Sequence, residues 1–492
     1  MELLIIAPWG TPKKGEKWRW DIAHYSSEDE KSSILSRSSL TLLTLQALER
    51  DFNPHILIVA PDTLYTSTEL TPPTEYRELL RIVERWLRNC LREMGREAGL
   101  KPLMEAEIAI LPGIGRFRRE GREFIFKSKL SDFRLLAYLK ILRRLIEGGF
   151  KEVWIDLTHG INYSTTLTYR STIDALEALA LYEGRTVEEM EERLRVYNSD
   201  PYDKERGREQ ELTIHEIRGV GLKAIEPPTT QELKILGHLT PISKLLKIES
   251  KGEEAKEISS HIKKLLKPVD AAMREIKDDI LTVVGSLEKG AMLPLKTLIN
   301  PENLRKASTL IMEVDEYINN TLTDKEITKI TDNENMIRII RKASLKHDVI
   351  PIMKSLSLSH HISTIIWEAK NWIPLSELKE LLDRLRWLSG IVRTLSRKEY
   401  GELTRRIKKK LETGKKIDEL RKGIKLSELI EGGEPFNKRN FIAHAGLERN
   451  VTKIRLREKP KQGEEIGKLM ELVEVTYIDE GKVHRALVDP DP

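Results

Sequence analysis

Over the first 225 or so residues, short continuous apolar runs alternate with amphipathic stretches. Leu3 to Ala7, His55 to Ala60, Glu107 to Leu111 and Val153 to Leu157 are rich in Ile, Val and Leu, and Pro or Gly follows most of them closely, a pattern that predicts strands. Helices are predicted at Ser33 to Arg50, Glu75 to Glu97 and Asp132 to Glu147. In the second of these, Leu79, Leu80, Val83, Trp86, Leu87 and Leu91 recur at helical spacing, and Gly148 and Gly149 stop the third. Strands without a polar face, separated by helices, belong to a parallel sheet covered on both sides, so this half reads as Rossmann-like. Such sheets bind ligands beyond the carboxyl ends of their strands.

A second regime starts near Pro227-Pro228. The strand signal fades there, and helical periodicity dominates from Thr230 to about Leu429, with long segments at Val269 to Leu287, Ser376 to Ser396 and Glu402 to Glu412. Leu472 to Val488 places two β-prone runs around Asp479-Glu480-Gly481 and predicts a small terminal β-hairpin. The expected fold class is therefore α/β plus all-α. The expected domains are 1–225, Rossmann-like, and 226–492, helical, with a linker at about 226–250.

Composition narrows the function classes. Charged residues make up 33% and apolar ones 39% of 492 residues, and no uncharged run is long enough to predict a membrane span. A net charge of +5 over this length is too diffuse for a nucleic-acid coat protein, so any such contact should be local. The single cysteine, Cys90, excludes a disulfide framework within the chain and every multi-cysteine zinc pattern; in its helical run it reads as core filler. A reducing cytoplasm is the expected location. MELLIIAPWG lacks a basic leader and reads as a buried strand, not a signal peptide. Scarce glutamine among abundant Lys, Glu and Arg resembles a hyperthermophile's composition.

Chemistry concentrates in two places. Asp156 to Tyr163, DLTHGINY, follows a predicted strand and precedes the helical run Ser164 to Tyr182. A strand end that opens onto a helix start presents backbone N–H groups and the positive end of the helix dipole, a seat for phosphate or nucleotide. Gly160 permits close backbone approach, Thr158 and Asn162 offer hydrogen bonds, and His159 can stack on or donate to a nucleotide. The same Thr158 or Asn162 equally suits a plain helix cap. Gly10 and Thr11, after the first strand, hold the equivalent edge position, though a Gly-Thr turn alone also fits an ordinary loop. GIGR at 113–116 is too short for a dinucleotide fingerprint.

The second place is RNFIAH, Arg439 to His444. A ribonuclease that works without metal needs a group to move the 2'-OH or leaving-group proton and a cation to stabilise the phosphorane. Arg followed five residues later by His occurs three times. Arg50 to His55 contains Pro54 and leads into a strand, and Arg19 to His24 lies in the loop region after the first strand. Only Arg439 to His444 has a helical setting, after a Gly-Gly-Glu-Pro break at 432–435, with Pro435 or Asn437 suited to open the helix. On spacing alone, a surface Arg and a packed His explain it as well. His360-His361 has no acidic or thiol partner at ligand spacing, HExxH is absent, and no metal site is expected. GxSxG and Walker A loops are absent too.

A Rossmann-like half bearing DLTHGIN joined to an all-α half ending in RNFIAH resembles the CRISPR-associated CARF-HEPN ribonucleases of type III CRISPR systems. The resemblance implies that 1–225 is a CARF sensor of cyclic oligoadenylate and that the helical half carries a HEPN domain which cuts single-stranded RNA without a metal. It implies a pocket lined by Thr158, His159, Gly160 and Asn162, with Gly10 and Thr11 contributing, and a catalytic set of Arg439, Asn440 and His444. It further implies no required cofactor, cyclic tetra-adenylate as the commonest activator in archaeal-looking members, a homodimer or higher even oligomer whose two-fold axis matches the symmetry of the ring, and a product ending in a 2',3'-cyclic phosphate. Some sensors of this kind cut their own ligand, and the sequence leaves that open. Two other readings stand beside it. One is a ligand-gated CARF transcription regulator using Thr230 to Leu246 on DNA; the other is a nucleotide-binding enzyme whose helical half is structural.

Overall fold

The computed structural model describes residues 1–14, 16–67, 73–203, 210–235, 241–333, 336–388, 390–412, 417–430, 435–458 and 466–488. An eight-stranded sheet forms the first half, with spatial order Ser33–Ser36, Ala23–Ser27, Glu211–Glu216, Leu194–Ser199, Glu152–Asp156, Glu2–Pro8, Asn53–Pro61 and Glu107–Leu111. Glu2–Pro8 pairs in parallel with Glu152–Asp156 on one side and Asn53–Pro61 on the other. All four predicted strands are present, each within about two residues of its expected ends.

Alternation along Glu2–Pro8 divides the core between two faces. Leu4 and Ile6 pack with the buried residues of helices Leu130–Gly148 and Asn162–Glu183; Leu3, Ile5 and Ala7 pack with those of Ser39–Glu49 and Tyr76–Ala98. Cys90 lies buried in Tyr76–Ala98, as its helical run suggests. The helix expected at Ser33 to Arg50 starts later. Ser33–Ser36 pairs as a strand with Ala23–Ser27, and Ser38, whose side chain accepts the Leu40 N–H, opens the helix at Ser39.

Beyond residue 227 the helical prediction holds, with helices Lys267–Glu288, Pro301–Leu322, Val349–Ile365, Leu375–Arg384 and Gly390–Glu412. The single run expected at Ser376 to Ser396 breaks after Arg384, and its second part continues to Glu412. The linker region holds a short helix, Thr230–Ile235, a 3-10 turn, Ile242–Leu245, and a strand, Leu246–Ile248, paired with Ala343–Leu345; residues 236–240 lie outside the described residues.

The terminal hairpin is not formed. Val473–Tyr477 pairs antiparallel with Thr452–Leu456, and Glu480–Val488 is a helix. Asp479 Oδ1 accepts the Lys482 N–H at 2.9 Å, so the residues that looked like a turn between two strands instead cap a helix.

Backbone pairing crosses the middle of the chain. Arg122–Lys127 runs parallel to Met336–Arg341, joining two hairpins into one four-stranded sheet ordered Thr328–Asn333, Met336–Arg341, Arg122–Lys127 and Gly115–Arg119. Helix Val349–Ile365 packs on Asn162–Glu183 and Pro301–Leu322 on Leu130–Gly148, so one apolar core runs from Leu4 to Leu487. Among the described residues, no helix is long and apolar enough to cross a membrane.

Candidate functional site

The parallel strands Asn53–Pro61 and Glu107–Leu111 lie on one side of Glu2–Pro8, and the chain then crosses back to lay Glu152–Asp156 on the other. The first strand therefore borders a topological switch point, where the loops at the carboxyl ends diverge and leave a crevice. Those loops carry Gly10-Thr11 and Thr158 to Asn162, and they touch: the Gly10 N–H donates to the His159 carbonyl at 2.8 Å. A Cβ on Gly10 would stand 3.0 Å from Ile161 Cγ2 and 3.2 Å from that carbonyl, and one on Gly160 would stand 2.5 Å from Thr165 Oγ1. Both positions thus need glycine for close approach.

The polar groups of this edge are already interlinked. Asp156, buried at the strand end, accepts from Ser39 Oγ at 2.7 Å and from the Thr158 N–H at 3.1 Å. Burial raises its pKa against the opposing pull of those bonds. Thr158 Oγ1 accepts the Ser199 N–H at 3.2 Å. His159 Nε2 accepts the Ser39 N–H at 3.3 Å, and its ring stacks on Trp20 with centroids 4.1 Å apart. Although His159 is only half-buried, desolvation among these neighbours pushes its pKa down to about 3, so the imidazole is neutral at physiological pH. Asn162 is the exposed first residue of helix Asn162–Glu183. All six predicted sensor positions therefore sit at one sheet edge. Sequence reasoning missed Trp20 and Tyr25, which reach His159 from a segment with no periodic signal, and Ser39, which reaches it from the start of a predicted helix.

A third loop at the same edge carries the GIGR sequence. The Gly113 N–H donates to Asp62 Oδ1 at 2.7 Å, and Tyr76 Oη donates to Asp62 Oδ2 at 2.9 Å. Arg341, from the strand Met336–Arg341, bonds both Asp62 and Tyr76, and all three side chains are buried. One side of this ion pair stands at the sensor sheet's edge and the other in the second half of the chain.

The second site is built on a six-residue helix, Lys438–Ala443, capped by Asn437, whose side chain accepts the Arg439 N–H at 2.8 Å. Pro435 lies just before this start, and Gly432 to Glu434 of the expected break lie outside the described residues. His444 is the C-cap, its N–H donating to the Asn440 carbonyl at 3.0 Å. Ala445 and Gly446 then take φ of +47° and +80°, which turns the chain sharply away. The turn is fixed to the core, because Tyr477 Oη donates to the Gly446 carbonyl at 2.8 Å and Ala291 packs on Gly446.

His444 Nδ1 lies 2.9 Å from Glu399 Oε2 of helix Gly390–Glu412. The two side chains border a hollow of about 210 Å³ together with Glu402, Leu403, Arg406 and Arg449. Glu402 is paired with Arg406 at 2.9 Å. Arg439 is exposed, and neither its guanidinium nor the Asn440 side chain has a hydrogen-bond partner among the described residues. Arg439, Asn440 and His444 thus share one short element. Glu399 escaped sequence reading; the one trace of it is the spacing of Glu399, Glu402, Leu403 and Arg406, which puts them along one side of a helix.

Comparison with known proteins matches two segments of the chain. The model for the CARF domain of CRISPR system endoribonuclease Csx1 matches residues 4–201, and the model for the HEPN domain of the same endoribonuclease matches residues 390–479. The CRISPR system endoribonuclease Csx1 of Methanocaldococcus jannaschii is 27% identical over 468 residues, covering 94% of this chain and 89% of its own. Enterococcus italicus Csm6 bound to cyclic hexa-2'-fluoro-hexa-dAMP aligns with 99% of this chain and 93% of its own at 10% identity, with a TM-score of 0.22, too low to carry an argument.

Proposed function

The chain belongs to the CRISPR-associated CARF-HEPN ribonucleases, and from that premise we propose that it is a single-stranded RNA endoribonuclease of type III CRISPR defence, switched on by cyclic oligoadenylate and acting without a metal. The observation that carries the reading is positional. The crevice loops with Gly10 and His159 fall inside the segment that matches the sensor, and Arg439 to His444 falls inside the segment that matches the nuclease.

In the proposed reaction the ribose 2'-oxygen attacks its own phosphorus. A P–O2' bond forms, the P–O5' bond breaks, and the product ends in a 2',3'-cyclic phosphate. The His444 imidazole moves the proton, the exposed Arg439 guanidinium neutralises the phosphorane, and Asn440, whose carbonyl holds the His444 N–H, orients the pair. Cyclic oligoadenylate, cyclic tetra-adenylate in first place, binds across two copies of the crevice in a homodimer. The residues on each copy are Gly10, Thr11, Thr158, His159, Gly160 and Asn162. A ring with internal two-fold symmetry presents the same atoms to both copies, and it activates by binding one dimer arrangement better than the other.

The proposed sensor is 1–225 and the proposed nuclease half is 226–492. The pairing of Arg122–Lys127 with Met336–Arg341 supplies a mechanical link between them. The test is cleavage of a fluorescent RNA in EDTA with and without each cyclic oligoadenylate. Cleavage that appears only with a ring present supports the reading. Cleavage that needs a divalent ion, or ignores every ring, overturns it.

A further inference from the structure

Resting on the nuclease reading above, we infer that Glu399 is a positioning residue for His444: its carboxylate accepts a hydrogen bond from the Nδ1–H, which keeps the proton on Nδ1, fixes the tautomer and leaves Nε2 as the nitrogen that meets the RNA. The backbone of His444 is set by the bond to Asn440 and by the left-handed exit through Ala445 and Gly446, which Tyr477 and Ala291 lock. That leaves the imidazole only its two side-chain torsions. His444 is exposed, so no packing decides those torsions, and the 2.9 Å contact to Glu399 is what selects one orientation.

Glu399 is itself well placed to do this. Tyr400, Leu403, Ile407 and Leu411 anchor its helix in the core, and Tyr400 Oη bonds the Leu375 carbonyl. The neighbouring charges of the hollow are Glu402 and Arg406 on the same helix and Arg449 beyond the short one. Glu402 is engaged by Arg405 and Arg406, which leaves Glu399 as the carboxylate on the imidazole. Stability is a poor explanation for the pair, because half-exposed ion pairs contribute little to folding. A carboxylate on one ring nitrogen, by contrast, settles which nitrogen carries the proton.

Two measurements test this on the full chain with saturating cyclic tetra-adenylate. In steady-state RNA cleavage, Glu399→Ala should lower kcat by roughly ten- to a hundred-fold with KM within about twofold, the signature of lost orientation, not lost binding. Glu399→Gln keeps the side-chain shape and should fall between Ala and wild type; it decides the matter if the alanine variant unfolds. Nitrogen-15 NMR of histidine-labelled protein, with His444 assigned by its loss in His444→Ala, should show the wild-type proton on Nδ1 and a tautomer mixture in Glu399→Ala. A wild-type proton on Nε2, or kcat within twofold of wild type in both variants, overturns the inference. If His444→Ala is dead while the Glu399 variants are normal, positioning alone fails; if His444→Ala still cleaves, the nuclease assignment itself fails.

Discussion

Replacing Arg341 with Met removes the cation from a buried cluster and keeps most of its volume. Asp62 is fully buried, and its carboxylate would retain two donors, the Gly113 N–H at 2.7 Å and the Tyr76 hydroxyl at 2.9 Å. Breaking a buried ion pair by deleting one partner destabilises by about 3–5 kcal/mol, and the surviving donors put this case at about 3 kcal/mol. With an unfolding entropy of about 2.1 cal/mol/K per residue, that is a fall in Tm of about 3 °C if the whole chain unfolds as one unit, and more if a smaller unit does. Adding Asp62→Asn in the Arg341→Met background removes the stranded charge and should recover at least about 1 kcal/mol. Thermal and urea unfolding followed by circular dichroism read both effects. Equal stability of Arg341→Met and wild type, or a double variant as weak as the sum of the singles, would refute the claim that this pair ties the two halves together.

Gly446→Ala should destabilise by more than about 2 kcal/mol and abolish RNA cleavage, because an added Cβ would stand 2.6 Å from Ala291 Cβ at a left-handed φ; an active variant with unchanged unfolding would contradict the locked turn. Burial pushes His159 down to about 3 and His361 down to about 4, both below the ordinary value of 6.5. The unfolded chain therefore binds protons that the folded chain refuses, so their contribution is complete above about pH 6.5 and is lost as pH falls toward about 4 for His361 and about 3 for His159. Urea midpoints measured across that window should drop with acidity, and less steeply in His361→Gln; a flat profile would refute the assignment.

How much was legible follows from where the determinants lie. Central strands such as Leu3 to Ala7 announce themselves because both faces are buried, whereas Ala23–Ser27 and Glu211–Glu216 carry polar residues and pass for loop. Met336–Arg341 finds its partner Arg122–Lys127 some two hundred residues earlier, and no local pattern encodes that pairing. The terminal hairpin failed for a related reason: Val473–Tyr477 is a real strand, but its partner lies upstream, and Asp479 caps a helix. The sensor edge was readable because strand, glycine and helix start are contiguous in DLTHGIN. Trp20 and Glu399 were not, since each meets its histidine only through the fold.

On the proposed function, His444 cuts RNA on a signal received at the crevice. The direct measurement pairs fluorescent RNA cleavage in EDTA with binding of labelled cyclic tetra-adenylate, for wild type and His444→Ala side by side. Wild type should cleave only with a ring present, and the variant should bind the ring unchanged without cleaving. Cleavage by the variant at the wild-type rate would contradict it.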